Sequence, residues 1–269
     1  MSAPLGRKSV YPGRYAPELL YPVSREENRR TLGIEKALPF AGEDIWNAFE
    51  MTWLDRGGKP RVAMATLRVP ADSATMIESK SLKLYLNSLA MQRFDSEEDV
   101  ARLLVKDLSE VTRCSVAATL TSPAVAAATG IGVLPGECID QLDVHCDTWQ
   151  VDPGLLHCAG QEDVEEQLHS HLMRSNCPVT GQPDFGSVLI HYRGPQIDRA
   201  ALLRYLVSYR NHCDFHESCV ERIFVDLKER CSPPQLTVYA RFNRRGGIDI
   251  NPFRSDFQAA ADNIRLWRQ

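Results

Sequence analysis

Apolar positions come and go along this chain with two different periods. In WNAFEMTWLDRGGKPRVAMATLRVP two strand-like runs flank Gly57-Gly58, which predicts a hairpin. TMIESKSLKLYLNSLAMQRF opens as a short strand and changes near Ser81 to helical spacing, with Leu82, Leu86 and Leu89 on one face. SEEDVARLLVKDLSEV predicts a second helix, capped by Ser96 and acidic in its first turn. CSVAATLTS is strand-like, and Pro123 to Gln161, with scattered Gly and Pro, reads as strand, loop and linker. The order then returns. CPVTGQPDFGSVLIHYRG predicts a hairpin about Gly181-Gln182-Pro183-Asp184, DRAALLRYLVSYRN and FHESCVERIFVDLKERC predict helices, QLTVYARFN alternates as a strand, and GGIDINPF is a short strand entered through a glycine pair.

Each half therefore follows the order β-β-α-α-β-β, without a residue-level repeat. An antiparallel four-stranded sheet with helices on one face accommodates each half, and the class is α+β. The expected division is an extended arm over 1–45, poor in periodicity, a first module over 46–160 and a second over 161–269. Such sheets have open edges. Setting them side by side, or closing them into a barrel across subunits, removes those edges; a homodimer is the expected assembly among these.

Composition narrows the function classes. The 269 residues are 43% hydrophobic and 25% charged with net charge −4, which suits one large or two small soluble domains and gives no basic footprint for nucleic acid. No apolar run approaches the ~20 residues of a membrane span, and the N-terminal stretch has no apolar signal core, so a cytoplasmic protein is expected. The eight cysteines are then expected as reduced thiols, mostly buried.

Four stretches carry candidate chemistry. In SNCPVTGQPDFG, Cys177 and Asp184 flank a turn. The pair suits a nucleophilic thiol with a proton donor, or a strand cysteine with a turn aspartate. In NHCDFHESC, His212 and His216 are four apart, a zinc-like spacing, but a helix capped by Asp214 would leave His212 off the shared face, and no Cys-x-x-Cys accompanies them. His216 with Glu217 offers a proton-transfer group and a carboxylate acceptor, or an ordinary acidic first turn. ESKSLK places Glu78, Ser79 and Lys80 at a strand-to-helix junction, where helix N–H groups and lysines bind anions or a serine simply caps. NRRGGIDINPFR joins Arg244 and Arg245 to Gly246 and Gly247, a phosphate-binding combination or a basic hairpin turn. No Gly-x-Gly-x-x-Gly marks a Rossmann domain.

Taken in order, ESKSLKLYLNS, SNCPVTGQPDFGS, FHESCVERIF and RRGGIDINPFRS closely resemble the bimodular NADPH-dependent 7-cyano-7-deazaguanine reductases, the nitrile reductases of queuosine biosynthesis. The N-terminal LGRKSVYPGRYAPELLYPVSREENR resembles that family's arm. The resemblance implies tandem tunnelling-fold modules, NADPH as cofactor and no metal. It also implies that Cys177 adds to the nitrile to form a thioimide, that Asp184 donates a proton, and that His216 assists proton transfer. Ile77, Glu78, Ser79, His216 and Glu217 match substrate contacts, and Ser79, Lys80, Arg245 and Gly246 match cofactor contacts. The substrate would be the small molecule 7-cyano-7-deazaguanine, with no direct nucleic-acid partner. Two other classes share these residues: a hydrolase in which water attacks the thioimide, and a non-catalytic purine- or pterin-binding module in which Cys177 is structural.

Overall fold

The computed structural model describes residues 12–35 and 37–269. They fall into two compact units, neither contiguous in sequence. The first holds 12–28, 44–130 and 244–250, and the second holds 29–35, 37–43, 131–243 and 251–269. No helix among the described residues is long and apolar enough to cross a membrane.

Of the expected arm, residues 1–11 and Lys36 lie outside the described residues, and the rest is not simply extended. It carries a short 3-10 turn, strand β1 (Pro22–Ser24) and helix α1 (Glu26–Thr31). The expected hairpin follows as β2 (Ala41–Leu54) and β3 (Pro60–Pro70), and then β4 (Thr75–Ile77), which pairs antiparallel with β1. Helix α2 (Ser79–Ser88) begins two residues before Ser81, because the Glu78 side chain caps it. Helix α3 (Glu97–Thr112) starts where Ser96 predicts, the Ser96 hydroxyl accepting from the Asp99 N–H at 3.1 Å. Strand β5 (Ala117–Thr121) pairs antiparallel with β3 and completes the order β5-β3-β2. Trp46, Met51, Trp53, Leu82, Leu86 and Leu104 are buried in one apolar core. The arm is fastened to this core by polar bonds: Tyr15 and Tyr85 both donate to Asp107 Oδ2 at 2.7 Å, and the Tyr21 N–H donates to Ser81 Oγ at 3.0 Å.

Beyond β5 the stretch read as strand, loop and linker contains a short helix α4 (Pro123–Ala128) and a two-residue strand β6 (Glu137–Cys138). The largest departure comes next. Strand β7 (Cys158–Asn176) is long and meets β8 (Pro183–Ile197) across a turn at 177–182, so the hairpin turns earlier than Gly181–Asp184. Helices α5 (Arg199–Ser208) and α6 (His216–Cys231) and strands β9 (Gln235–Phe242) and β10 (Ile248–Ser255) follow as expected. The order in the second unit is β10-β9-β8-β7, antiparallel throughout, with β6 parallel on the outer side of β7. Asp214 does not cap α6; Phe215 occupies the cap position, and the Asp214 carboxylate accepts the Phe215 N–H at 2.8 Å.

Candidate active site

In the second unit the β7–β8 hairpin presents Cys177 and Asp184. Cys177 is half-buried and sits one residue beyond β7, not within a strand. Its backbone is locked: the Cys177 N–H donates to the Gln182 carbonyl at 2.8 Å, and its carbonyl accepts from the Gly181 N–H at 3.0 Å. Gly181 has φ +68°, a left-handed conformation that glycine adopts without steric cost. Asp184 is not a turn residue. It is the second residue of β8, opposite Ser175, and 1% exposed.

The start of α6 is brought to this hairpin by the end of β7. The Asn176 N–H donates to the His212 carbonyl at 2.7 Å, and the Asp214 N–H donates to the Asn176 carbonyl at 3.2 Å. His216 then opens α6 with Nε2 3.3 Å from Asp184 Oδ2. Its ring lies flat on Phe242, centroids 3.8 Å apart and planes 2° apart. Gly186 leaves room for that phenyl ring, since a Cβ there would meet Phe242 Cε1 at 3.1 Å. His216 Nδ1 is buried and has no hydrogen-bond partner among the described residues. The imidazole is thus oriented on one side by a carboxylate and on its face by a ring, with a nitrogen left over for a ligand. Glu217 beside it is buried in the first turn of α6. His212 instead pairs with Asp214 at 3.6 Å, so the two histidines spaced four apart serve different partners.

In the first unit β4 delivers Ile77 and Glu78, both buried, to the start of α2. The Glu78 N–H donates to the Tyr21 carbonyl at 2.9 Å, so the arm holds this motif directly. The Glu78 carboxylate accepts from the Lys80 N–H at 2.9 Å and the Ser81 N–H at 2.7 Å. Two of the N–H groups expected to meet an anion are therefore occupied by the chain's own carboxylate, which still has lone pairs for further donors. Ser79 and Lys80 remain half-buried at the helix start.

The glycine-arginine turn belongs to the same unit. Arg245 and Ile248 exchange backbone hydrogen bonds at 2.9 and 3.3 Å around Gly246 (φ +59°) and Gly247 (φ +82°). Positive φ at both central residues is the tight hairpin turn that favours a glycine pair. A Cβ on Gly246 would stand 3.2 Å from Lys83 Cε, so the turn lies against α2. Residues far apart in sequence, Lys83 and Arg244–Gly246, are brought to one face, with the Arg244 guanidinium 4.9 Å above the Phe49 ring.

Residues 11–120 match the family model described as "Nitrile reductase, 7-cyano-7-deazaguanine-reductase N-term", and residues 183–261 match that of "QueF-like protein". A protein of Burkholderia cenocepacia (strain HI2424) described as NADPH-dependent 7-cyano-7-deazaguanine reductase is 53% identical, over 99% of this chain and 98% of that protein. The chain belongs to the 7-cyano-7-deazaguanine reductase family. A protein of the same description from Dechloromonas aromatica (strain RCB) is 53% identical over 100% of this chain and 95% of its own length. A solved structure, the archaeosine synthase QueF-Like in the apo form, aligns with 36% of this chain and 95% of that chain at 19% identity, with a TM-score of 0.32.

Against this family background, sequence reasoning missed three supporting residues, Phe242 under His216, Gly186 beneath Phe242 and Asn176 holding the approach to α6, and it did not connect Lys83 of ESKSLK with the glycine turn. Each acts through a contact between elements distant in the chain, for which periodicity gives no signal.

Proposed function

We propose that this chain reduces the nitrile of 7-cyano-7-deazaguanine to the primary amine, using NADPH, through a covalent intermediate on Cys177. The observation that carries the reading is the buried Asp184–His216 pair at 3.3 Å, set on the hairpin whose turn begins at Cys177. A nitrile carbon accepts hydride poorly. Addition of the Cys177 thiolate forms a C–S bond, and a proton from Asp184 to the nitrile nitrogen completes a thioimide, a far better electrophile. Two NADPH molecules, bound in turn, would each supply one hydride, the first to the thioimide carbon and the second to the imine that follows. Between them the C–S bond breaks and Cys177 leaves as thiolate. His216 relays protons to nitrogen and returns Asp184 to its acid form.

The base of the substrate carries N–H donors, and the buried Glu217 offers an acceptor suited to them. Ile77, Glu78 and Ser79 are assigned to substrate on the family motif. The donor set of Ser79, Lys80, Arg245 and the exposed Gly246 backbone fits the phosphates of NADPH, and the neighbouring Lys83 and Arg244 add charge for a 2′-phosphate. We infer further that the chain works in the cytoplasm, without direct contact to nucleic acid, as a homodimer, since β5 ends its sheet as an open edge.

The test is nitrile-dependent loss of NADPH absorbance with the amine as product. Arg245→Ala should raise KM for NADPH and leave adduct formation on Cys177 unchanged. An amide or acid product would favour the hydrolase reading, and substrate binding without turnover the non-catalytic one.

A further inference from the structure

We propose that Cys138, His169 and His171, in the second unit, form a zinc site separate from the reaction. The Cys138 thiol and one nitrogen from each histidine lie within 4.8 Å of one another. The arrangement is built by the shortest strand of the unit: β6 runs parallel to β7 with Cys138 opposite His169, and the Ile139 N–H donates to the His169 carbonyl at 2.9 Å.

Both rings are oriented through Nδ1. His169 Nδ1 lies 3.0 Å from the Pro135 carbonyl oxygen and His171 Nδ1 lies 2.8 Å from Ser187 Oγ. A carbonyl only accepts, so His169 Nδ1 carries the proton and its Nε2 holds the lone pair. The Ser187 hydroxyl accepts from His171 in the matching tautomer. A metal-ligating histidine is held in this way, its second nitrogen donating to a protein oxygen. Asp140 fixes the backbone between them: its Oδ1 accepts from Ser170 Oγ at 2.6 Å, and its two oxygens accept the His171 N–H at 3.2 and 3.0 Å. This carboxylate is a positioning group, set where the β7–β8 register shifts between Ser170 and Met173.

Tetrahedral zinc, at about 2.3 Å from sulfur and about 2.0–2.1 Å from nitrogen, holds such donors roughly 3.3–3.6 Å apart. Cys138 is exposed, so its side chain has room to turn toward the two histidines. One thiolate and two imidazoles select zinc over magnesium or calcium, with water as fourth ligand. The Arg268 guanidinium, which donates to the His171 carbonyl at 2.9 Å, has the Asp140 carboxylate as its counter-charge. The bound ion would clip the long connection around β6 to β7, the strand that ends at the residue before Cys177. None of its ligands is used by the reaction.

The probe is cobalt(II), titrated under reducing conditions into the full chain prepared without a metal-affinity tag and stripped with chelator. One equivalent should give visible bands of tetrahedral cobalt and a near-ultraviolet thiolate-to-cobalt band. Both should disappear when zinc displaces cobalt, and zinc should raise the melting temperature. Cys138→Ala, at an exposed position that leaves the core intact, should lose the thiolate band and the thermal shift, whereas Cys213→Ala should keep both. Absence of the bands in the unaltered chain, or their persistence in Cys138→Ala, would overturn the proposal.

Discussion

At the scale of single residues, the candidate site depends on how each carboxylate is used. Asp184→Asn keeps the shape and removes the transferable proton. Turnover should fall by about 10²–10⁴-fold, the range of a general acid, and combination with His216→Gln should add little because both serve one step. Fully multiplicative losses in the double variant would separate their roles. Glu78 needs a different design, since its carboxylate caps α2 through the Lys80 and Ser81 N–H groups. Glu78→Leu should destabilise the fold by about 0.5–2 kcal/mol, a lost cap, besides weakening substrate binding. Glu78→Gln should retain one acceptor and most of the stability, so that calorimetry on it reports binding and thermal melts on the pair report the cap. The residue types at the site were legible in the sequence, because thiol, acid and imidazole announce their chemistry. Their partners were not: that Asp184 pairs with His216 follows from a contact between elements, and the Glu78 cap, although local, is made by a residue type outside the usual Ser, Thr, Asp and Asn cap signal.

Among the elements, those with a clear period were legible. The α3 helix, with its Ser96 cap, and β9, with its alternation, form where the pattern places them. Strand β7 escaped because QEDVEEQLHSHLMRSN is largely polar. It has β8 on one side and only the two-residue β6 on the other, so its first half buries little and carries no apolar alternation. What holds it is partly electrostatic. Burial alone would raise the pKa of Glu166, but hydrogen bonds from Tyr192 and from Arg199, the latter at 2.6 Å, outweigh it and hold the carboxyl below its ordinary value. A depressed carboxyl pKa contributes stability that is present above the unfolded value, about 4.3, and is lost as pH falls through the folded value. The stability difference between the unaltered chain and Glu166→Gln should therefore be largest near neutral pH and shrink in acid, read by denaturant unfolding across that range. The glycine turn allows a second test. Gly246→Ala puts a side chain at φ +59°, facing Lys83 Cε at 3.2 Å, and should raise KM for NADPH several-fold with adduct formation unchanged.

For the molecule as a whole, the α+β class was legible, and the expected β-β-α-α-β-β order appears from β7 to β10, whereas β2 to β6 run β-β-β-α-α-β-α-β; the modules expected over 46–160 and 161–269 are contiguous and the compact units are not. Residues 29–35, 37–43 and 251–269 belong with the second unit, and a buried cluster shows why: Glu221 on α6 accepts from Arg29 at 2.7 and 2.9 Å and from Arg254 at 2.8 and 3.0 Å. Glu221→Gln removes the charge both guanidiniums share and should cost about 3–5 kcal/mol of stability, measured by denaturant unfolding. No local pattern announces a bond between residues so distant in the chain. The central claim is that Cys177 makes a covalent bond to the substrate nitrile before any hydride arrives. It is tested most directly by intact mass of the full chain after incubation with 7-cyano-7-deazaguanine in the absence of NADPH. The account predicts a gain equal to the mass of one substrate molecule per chain, absent in a folded Cys177→Ala variant and discharged when NADPH is added. An unchanged mass in the unaltered chain under saturating substrate, or the same gain in Cys177→Ala, would contradict it.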